Sequence, residues 1–158
     1  MPVRVRIVDG DLLDQSVEVI VNAWNRNIIP WWLLVPQGVS GAIKRRGGYR
    51  PFIDLGKAGP IGLGQACVTE AGRLPYRAII HVAGINMFWR ATRFSIKQSV
   101  LSAMRIANDN AYKSVAFPII GGGTGGFGEH GALALMMEAF SEIDSEADVI
   151  IVRYRSRA

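Results

Sequence analysis

A run of glycines near the C-terminal end of the chain restricts the fold more than any other segment. Glycine occupies six of the eight positions in Gly121–Gly128. The preceding residues, Ser114–Ile120, form an apolar run that predicts a buried strand, and Ala132–Phe140 predicts a largely buried helix after it. A strand that leads through a tight turn into a helix is a building unit of layered α/β folds.

Glycines at such a junction have a specific chemical use. They adopt positive φ values and let the main chain approach a bound group closely. They also turn successive N–H groups toward an anion beside the positive end of the following helix. The alternative is a flexible linker, but linkers seldom lie between a core strand and a core helix. We therefore predict that Gly121–Gly128 binds phosphate.

The glycines alone do not identify the phosphate compound. Gly121, Gly123 and Gly126 fit the G-x-G-x-x-G spacing of a Rossmann dinucleotide site. That motif normally lies in the first strand–helix turn of a long array, with an acidic residue ending the next strand. Only one helix and one strand follow here, and the strand ends at Tyr154-Arg155. An NAD(P)-binding Rossmann-like domain is therefore the weaker alternative, and a P-loop is excluded because no Gly-Lys-Ser/Thr follows.

Strand-like and helix-like segments alternate along the rest of the chain. Short apolar runs predict strands at Val3–Val8, Val17–Val21, Gln65–Glu70, Ala78–Val82 and Asp148–Tyr154. Apolar spacing close to 3.6 predicts a helix over Phe94–Asn110, and Ser40–Arg46 predicts a short helix that ends at two glycines. Asn22–Asn27 predicts a polar turn, and Ile28–Pro36 predicts a loop. The alternation indicates an α/β domain with a parallel or mixed sheet.

Length and composition bound the class of protein. The 158 residues fit one domain, residues 1–158, that is large enough for a core of its own. The longest apolar runs fall well short of the roughly 20 residues of a membrane span, and the N-terminal residues lack the features of a signal peptide. We therefore expect a cytoplasmic protein that does not contact membranes.

Cysteine and histidine give no sign of a disulfide framework or a metal site, and a solvated surface accounts for the net charge. Cys67 is the only cysteine, so we expect no disulfide framework, and we interpret it as a small buried hydrophobe rather than a nucleophile. His81 and His130 lack the spacing of metal ligands, and we interpret His81 as a core residue. We expect no metal and no cofactor. The net charge of +5 is scattered along the chain, so nucleic acid is only a weakly supported partner.

Five further motifs precede the glycine run. They are Gly10-Asp11-Leu12, Val21–Asn25, Gly38–Ile43, Gly64-Gln65-Ala66 and Ala78–Gly84, with Ser114–Pro118 leading into the glycines. In their order and spacing these motifs resemble the macro domain family, from about Val5 to Val152. The resemblance implies a three-layer α/β/α fold with a mixed, largely parallel sheet of about six strands. It also implies that ADP-ribose binds above that sheet.

The resemblance suggests roles for residues at the two ends of the ligand. Asp11 resembles the carboxylate that accepts a hydrogen bond from the adenine amino group, and Leu12 would offer its backbone N–H to the base. The alternative for Asp11 is an aspartate that only caps a turn. Asn25 resembles the asparagine that holds the distal ribose, because an amide donates and accepts hydrogen bonds together.

Two loops are implied to hold the pyrophosphate between them. The first comprises Gly38, Val39 and Ser40 and ends at the amino terminus of a helix, as anion binding requires. The second comprises Gly121, Gly122, Gly123, Thr124, Gly125, Gly126 and Phe127. Thr124 adds a hydroxyl donor, and Phe127 matches an aromatic side chain near the distal ribose.

The chain departs from the family pattern where catalysis is concerned. Many hydrolytic macro domains carry Gly-Val-Asp-Gly where this chain has Gly38-Val39-Ser40-Gly41. Serine without a partner is no general base at neutral pH. One account is a hydrolase that removes mono-ADP-ribose from a modified macromolecule or a small conjugate, with Asn25, Gln37 and Ser40 at the reaction centre. The other is a non-catalytic reader of ADP-ribose. We favour hydrolysis because we expect a stand-alone domain, and readers are more often attached to other domains.

The bulky segment before Gly38 has two interpretations of its own. Trp31 and Trp32 either cap the core, since aromatic side chains bury large areas, or lie over the distal ribose.

Overall fold

The structure, a computed structural model, describes residues 2–25, 38–58, 62–85, 91–121 and 128–155. Its strands and α-helices follow in the order β1 (Arg4–Gly10), β2 (Val19–Asn25), α1 (Gly38–Gly47), α2 (Arg50–Ala58), β3 (Ala66–Thr69), β4 (Ala78–Ile85), α3 (Arg93–Asp109), β5 (Ser114–Pro118), α4 (Glu129–Phe140) and β6 (Asp148–Tyr154). A short 3-10 helix, Leu12–Asp14, lies between β1 and β2.

The strands form one six-stranded sheet in the order β1-β6-β5-β2-β4-β3. Every pair of neighbours is parallel except β3 and β4, which are antiparallel. Because β6 lies between β1 and β5, the order differs from the 3-2-1-4-5-6 order of a Rossmann domain. The Rossmann alternative therefore does not describe this fold. Within the described ranges, no helix is both long and apolar enough to cross a membrane.

Helices cover both faces of the sheet, which gives the three layers expected from the sequence. On one face α3 and α4 pack against Val19 and Val21 of β2, and on the other face α1 and α2 pack against Ile20. All three of these β2 residues have 0% of their surface exposed. A parallel strand buried on both faces reads as a continuous apolar run, as Val19–Val21 does.

The observed elements correct the sequence predictions in two places. The predicted turn at Asn22–Asn27 is wrong for its first four residues, because β2 continues to Asn25. The strand tolerates Asn22 since the amide has a buried partner, described below. Helix α2 was not predicted: it is short and contains Gly56, and its one start signal is Pro51 at the first turn. The segment Ile28–Pro36, with both tryptophans, lies outside the described residues.

A chain of hydrogen bonds crosses three strands on the face covered by α1 and α2. Asn22 Nδ2 lies 3.0 Å from His81 Nδ1, and His81 Nε2 lies 2.8 Å from Thr69 Oγ1. The Thr69 hydroxyl donates to the Glu70 carbonyl oxygen at 3.0 Å. Because an amide NH₂ group only donates, His81 accepts at Nδ1 and donates from Nε2, which requires the neutral imidazole. His81 is thus a core histidine, as the sequence predicted.

The surroundings of His81 keep it neutral. Its exposed fraction is 0%, and burial lowers its pKa from 6.5 to about 3 because the imidazolium would lose its hydration. The ring of Phe52 from α2 packs edge-on against the imidazole at a centroid distance of 5.8 Å. A proton at Nδ1 would also face the donating amide of Asn22.

The free energy of unfolding is therefore expected to fall as the pH is lowered below 6.5. The unfolded chain takes up a proton at His81 there while the folded chain does not, so stability is lost at ~1.4 kcal/mol per pH unit until about pH 3. Urea unfolding of the wild type and of His81→Gln at pH 7.5 and 5.5 isolates this contribution, since carboxylates titrate lower. The variant should be less stable at pH 7.5 but show a flatter pH dependence. Equal slopes in the two proteins would refute the assignment.

Candidate functional site

The candidate site lies along the edge of the sheet where the parallel strands end. Because β1, β6, β5, β2 and β4 run in one direction, their carboxyl ends meet at this edge. The helices that follow β2, β4 and β5 in the chain return toward the other edge, so α1, α3 and α4 begin here. The amino ends of helices carry partial positive charge and free N–H groups, and both favour an anion.

Asp11 follows β1 at this edge and caps the 3-10 helix. Its Oδ1 accepts a hydrogen bond from the Leu13 N–H at 2.9 Å, and its carbonyl oxygen accepts one from the Gln15 side chain at 2.9 Å. The capping role weighed from the sequence is therefore present. It uses one carboxylate oxygen and leaves the other for a further donor. Leu12 packs into the core with 5% of its surface exposed, which fixes the backbone beside Asp11.

Gly38, Val39 and Ser40 form the first turn of α1 rather than a loop ahead of it. The N–H groups of a first helical turn have no partner within the helix and are available to an anion. The side chains of Asn25 and Ser40 lie outside the described part of the structure, as does Gln37. Asn25 is the last residue of β2, which places its backbone at the same edge.

The glycine run is anchored at both ends. Gly121 has a φ of +80° and lies against the segment that opens α3: a Cβ built on it would be 2.6 Å from Ala91 Cβ and 3.0 Å from Ile96 Cδ1. Gly128 has a φ of +86° and precedes the first turn of α4. The predicted phosphate-binding residues between them, Gly122–Phe127, lie outside the described residues. The two anchors agree with the predicted position of the run between β5 and α4.

A lysine lies inside the domain on the helix that follows β2. Lys44 of α1 has 5% of its surface exposed, and its Nζ lies 4.8 Å from the centre of the Phe52 ring. Burial lowers the pKa of this amine.

Cys67 is only half-buried, less than the sequence suggested, and burial raises the pKa of its thiol, which disfavours the nucleophilic thiolate.

Tyr154 is a candidate site residue that the sequence reasoning missed. It ends β6 opposite Gly10, the residue before Asp11, and 67% of its surface is exposed. An exposed aromatic ring at this end of the edge offers a stacking surface for a flat heterocycle that donates to the Asp11 carboxylate. One signal in the sequence could have indicated this residue: an aromatic side chain at the end of the last predicted strand. If that strand pairs in parallel with the first, its end lies beside the end of the first strand.

Arg155 ties the end of β6 to its neighbours. Its N–H donates to the Gly10 carbonyl oxygen at 3.0 Å, and its guanidinium contacts both carboxylate oxygens of Glu129 at 3.1 and 3.4 Å. The hydrogen bond from Arg155 lowers the pKa of the Glu129 carboxyl. These contacts link the first turn of α4 and the end of β6 to Gly10, the residue before Asp11.

The structure thus brings several of the sequence-predicted positions to one edge. Asp11, the first turn of α1 and Gly121 are described there, and Asn25 joins them through its backbone. The arrangement offers a carboxylate after β1 and the exposed Tyr154 at the end of β6, and further along the same edge the first turn of α1 and Gly121. Among the described residues, no three His, Cys, Asp or Glu side chains are grouped so that they could hold a metal ion.

Comparisons with known proteins agree with this geometry. The family model described as "Macro domain" matches residues 21–136. An O-acetyl-ADP-ribose deacetylase of Escherichia fergusonii is 34% identical over 150 residues, 90% of this chain and 81% of the relative. A macro domain-containing protein of Streptomyces griseus is 40% identical over 134 residues, 78% of this chain and 71% of the relative.

A solved structure gives the same fold. The macrodomain of Trypanosoma brucei in complex with ADP superposes with a TM-score of 0.80 at 20% identity. The match covers 95% of this chain, which spans only 63% of the trypanosomal chain.

Gly121→Ala is expected to destabilise the protein more than Gly128→Ala. Both glycines have positive φ values, so each alanine carries backbone strain of about 1–3 kcal/mol. Only at Gly121 does the new Cβ also meet a neighbour, Ala91 Cβ at 2.6 Å, while nothing lies within 4 Å at Gly128. Chemical unfolding of the two variants measures the difference. Equal losses of stability would show that the contact with Ala91 is not a constraint.

Proposed function

This chain belongs to the macro domain family, and from that premise we propose that it binds ADP-ribose and hydrolyses ADP-ribose conjugates. The observation that carries the proposal is the order of groups along the carboxyl edge. A carboxylate follows β1, the anchored glycine run follows β5, and the helix whose first turn faces this edge follows β2. The relative named O-acetyl-ADP-ribose deacetylase supports hydrolysis.

The spacing of the strands suits a ligand of this length. Neighbouring strands lie about 4.8 Å apart, so β1 and β2, separated by β6 and β5, are roughly 14 Å apart. We place the adenine at Asp11 and the Leu12 backbone, with Tyr154 as a stacking surface. The pyrophosphate then lies between the first turn of α1 and Gly121–Phe127, and the distal ribose lies at Asn25.

Catalysis in this proposal depends on positioning. Asn25 orients the distal ribose, Gln37 holds the attacking water, and a phosphate oxygen of the ligand helps to activate that water. Ser40 contributes a hydroxyl hydrogen bond rather than a general base. Positioned reactants and aligned main-chain donors supply a large share of many rate enhancements.

A second candidate function is a reader that binds ADP-ribose without cleaving it. The specific observation in its favour is Ser40, which stands where many hydrolytic members carry a carboxylate. The two candidates share the binding site and differ only in turnover.

We also propose the setting in which the activity occurs. The domain is taken to comprise residues 1–158 and to act in the cytoplasm on ADP-ribose attached to a protein.

Calorimetric titration with ADP-ribose tests the binding, and two substitutions at Asp11 test the adenine site. Asp11→Ala is expected to weaken binding by about 1–3 kcal/mol through loss of a charge-assisted hydrogen bond. Asp11→Asn keeps an oxygen to cap Leu13 but turns a donor toward the adenine amino group, so it should weaken binding while preserving stability. If Asp11→Asn bound ADP-ribose with wild-type affinity, the role of Asp11 would be limited to capping the turn. No binding of ADP-ribose by the wild type at ~1 mM would remove the proposed function.

Release of ADP-ribose from a mono-ADP-ribosylated substrate separates hydrolase from reader. Asn25→Ala is expected to reduce the release rate more than the affinity for ADP-ribose, because misplacing the ribose by about 1 Å costs on the order of 100-fold in rate. The rate is followed by chromatography of the released nucleotide, and the affinity by calorimetry. A wild type that binds the substrate but releases nothing would establish the reader.

A further inference from the structure

The order of the strands sets the direction in which a conjugate leaves the site. This step rests on the proposed function. If the adenine lies at β1 and the distal ribose at β2, the ligand runs along the order β1-β6-β5-β2. The strands beyond the ribose are β4 and then β3. A group attached to the distal ribose that continues in this direction therefore passes over the end of β4 and the start of β3, which is antiparallel to β4.

An exposed aromatic side chain lies on that path. Phe94 is in the first turn of α3, and 58% of its surface is exposed. Its Cε1 is 3.6 Å from the position of a Cβ built on Gly64, which precedes β3. The N–H of Gly64 donates to the carbonyl oxygen of Ala83 in β4, two residues before the strand ends. The ring is therefore near the level at which β2 ends, since Asn25 pairs with Ile85.

Hydrogen bonds and close packing hold the backbone around Phe94. Thr92 and Ser95 form a capping box, in which each side chain accepts a hydrogen bond from the other residue's N–H. The Ser102 hydroxyl donates to the Gly64 carbonyl oxygen at 2.6 Å. Gly64 has a φ of +79°, and a Cβ there would be 2.6 Å from Gln98 Cβ, so helix and loop fit closely. A fixed aromatic surface loses little entropy on binding a partner.

The charges beside Phe94 favour a polypeptide over a nucleic acid. Arg93 and Lys97 are both paired with Glu138 of α4, at 3.7 and 3.2 Å, and Lys97 also lies 3.9 Å from Glu142. Among the described residues beside Phe94, these two cations and two carboxylates balance. Nucleic acids depend on uncompensated Lys and Arg for contacts to their phosphates. An aromatic ring in neutral surroundings suits peptide side chains and backbone.

We propose that the surface formed by Phe94, Gly64 and Gln98 binds the polypeptide to which the ADP-ribose is attached. The substrate is then recognised in two places, at its nucleotide and at the residues that flank the modified side chain. A small conjugate fills only the nucleotide part of the site.

The test compares two ligands by calorimetry: ADP-ribose and a peptide that carries ADP-ribose through a hydrolysis-resistant linkage. The wild type is expected to bind the peptide conjugate on the order of tenfold more tightly than ADP-ribose, the effect of one well-placed aromatic contact. Phe94→Ala should remove this preference and leave the affinity for ADP-ribose within about twofold. Phe94→Tyr, which keeps the ring, should retain the preference.

Two exposed tyrosines provide matched controls. Tyr49 is 56% exposed and lies between α1 and α2. The nearby Gly47 carbonyl accepts a hydrogen bond from the Arg73 N–H in the loop before β4, so Tyr49 lies at the amino edge of the sheet, away from the candidate site. Tyr49→Ala should change neither affinity. Tyr154→Ala should weaken both ligands equally, because it acts at the adenine end.

Three results would overturn the inference. Equal affinity of the wild type for both ligands would do so while leaving ADP-ribose binding in place. So would a preference for the peptide that survives Phe94→Ala. An ADP-ribosylated oligonucleotide that binds more tightly than the peptide, and loses that affinity in Phe94→Ala, would assign the surface to nucleic acid. Absence of ADP-ribose binding is a separate outcome, which removes the proposed function and this inference with it.

Discussion

Five strands of the sheet run in one direction, so each connection between them returns from the carboxyl edge to the amino edge. The crossovers supply the helices that cover both faces, and they also bring helix amino ends and glycine turns to a single edge. The candidate site is a consequence of this arrangement. Asp11, the first turn of α1 and Gly121 come from distant parts of the sequence and share only their position after a parallel strand.

The buried chain from Asn22 through His81 to Thr69 complements the apolar packing. Because Val19–Val21 is apolar on both faces of the sheet, a one-residue slip would leave similar apolar contacts there, whereas it would separate Asn22 from His81. Asn22 pairs with His81 across β2 and β4, and Thr69 reaches the same ring from β3. These polar side chains therefore fix the register of β2, and with it the position of Asn25, three residues after Asn22. If one of these groups lost its partner, a buried polar group would be left without a hydrogen bond and the free energy of unfolding would fall. The three side chains therefore act as one unit.

Local pattern was sufficient for much of the fold but not for its connections. Strand β6 was predicted with its observed bounds, and α3 within one residue at each end, because apolar periodicity continues through both. The end of β2 was missed because Asn22 looks like a turn residue until its partner in β4 is known. At the site, Asp11 was placed by its position after β1, but its bond to Leu13 was only one of two interpretations. Tyr154 was missed because its neighbour Gly10 is brought beside it only by the pairing of β6 with β1.

The close fit between Gly121 and Ala91 has a consequence for how this sequence can change over time. The two positions are far apart in the chain, yet each occupies space that a side chain at the other would need. Any lineage that enlarges residue 91 must first move the start of α3 away from the glycine run, and would thereby move the loop expected to contact the ligand. Relatives that keep Gly121 should therefore also keep a small residue at position 91. The small residue is required there by the packing against Gly121 and not by a contact with ligand.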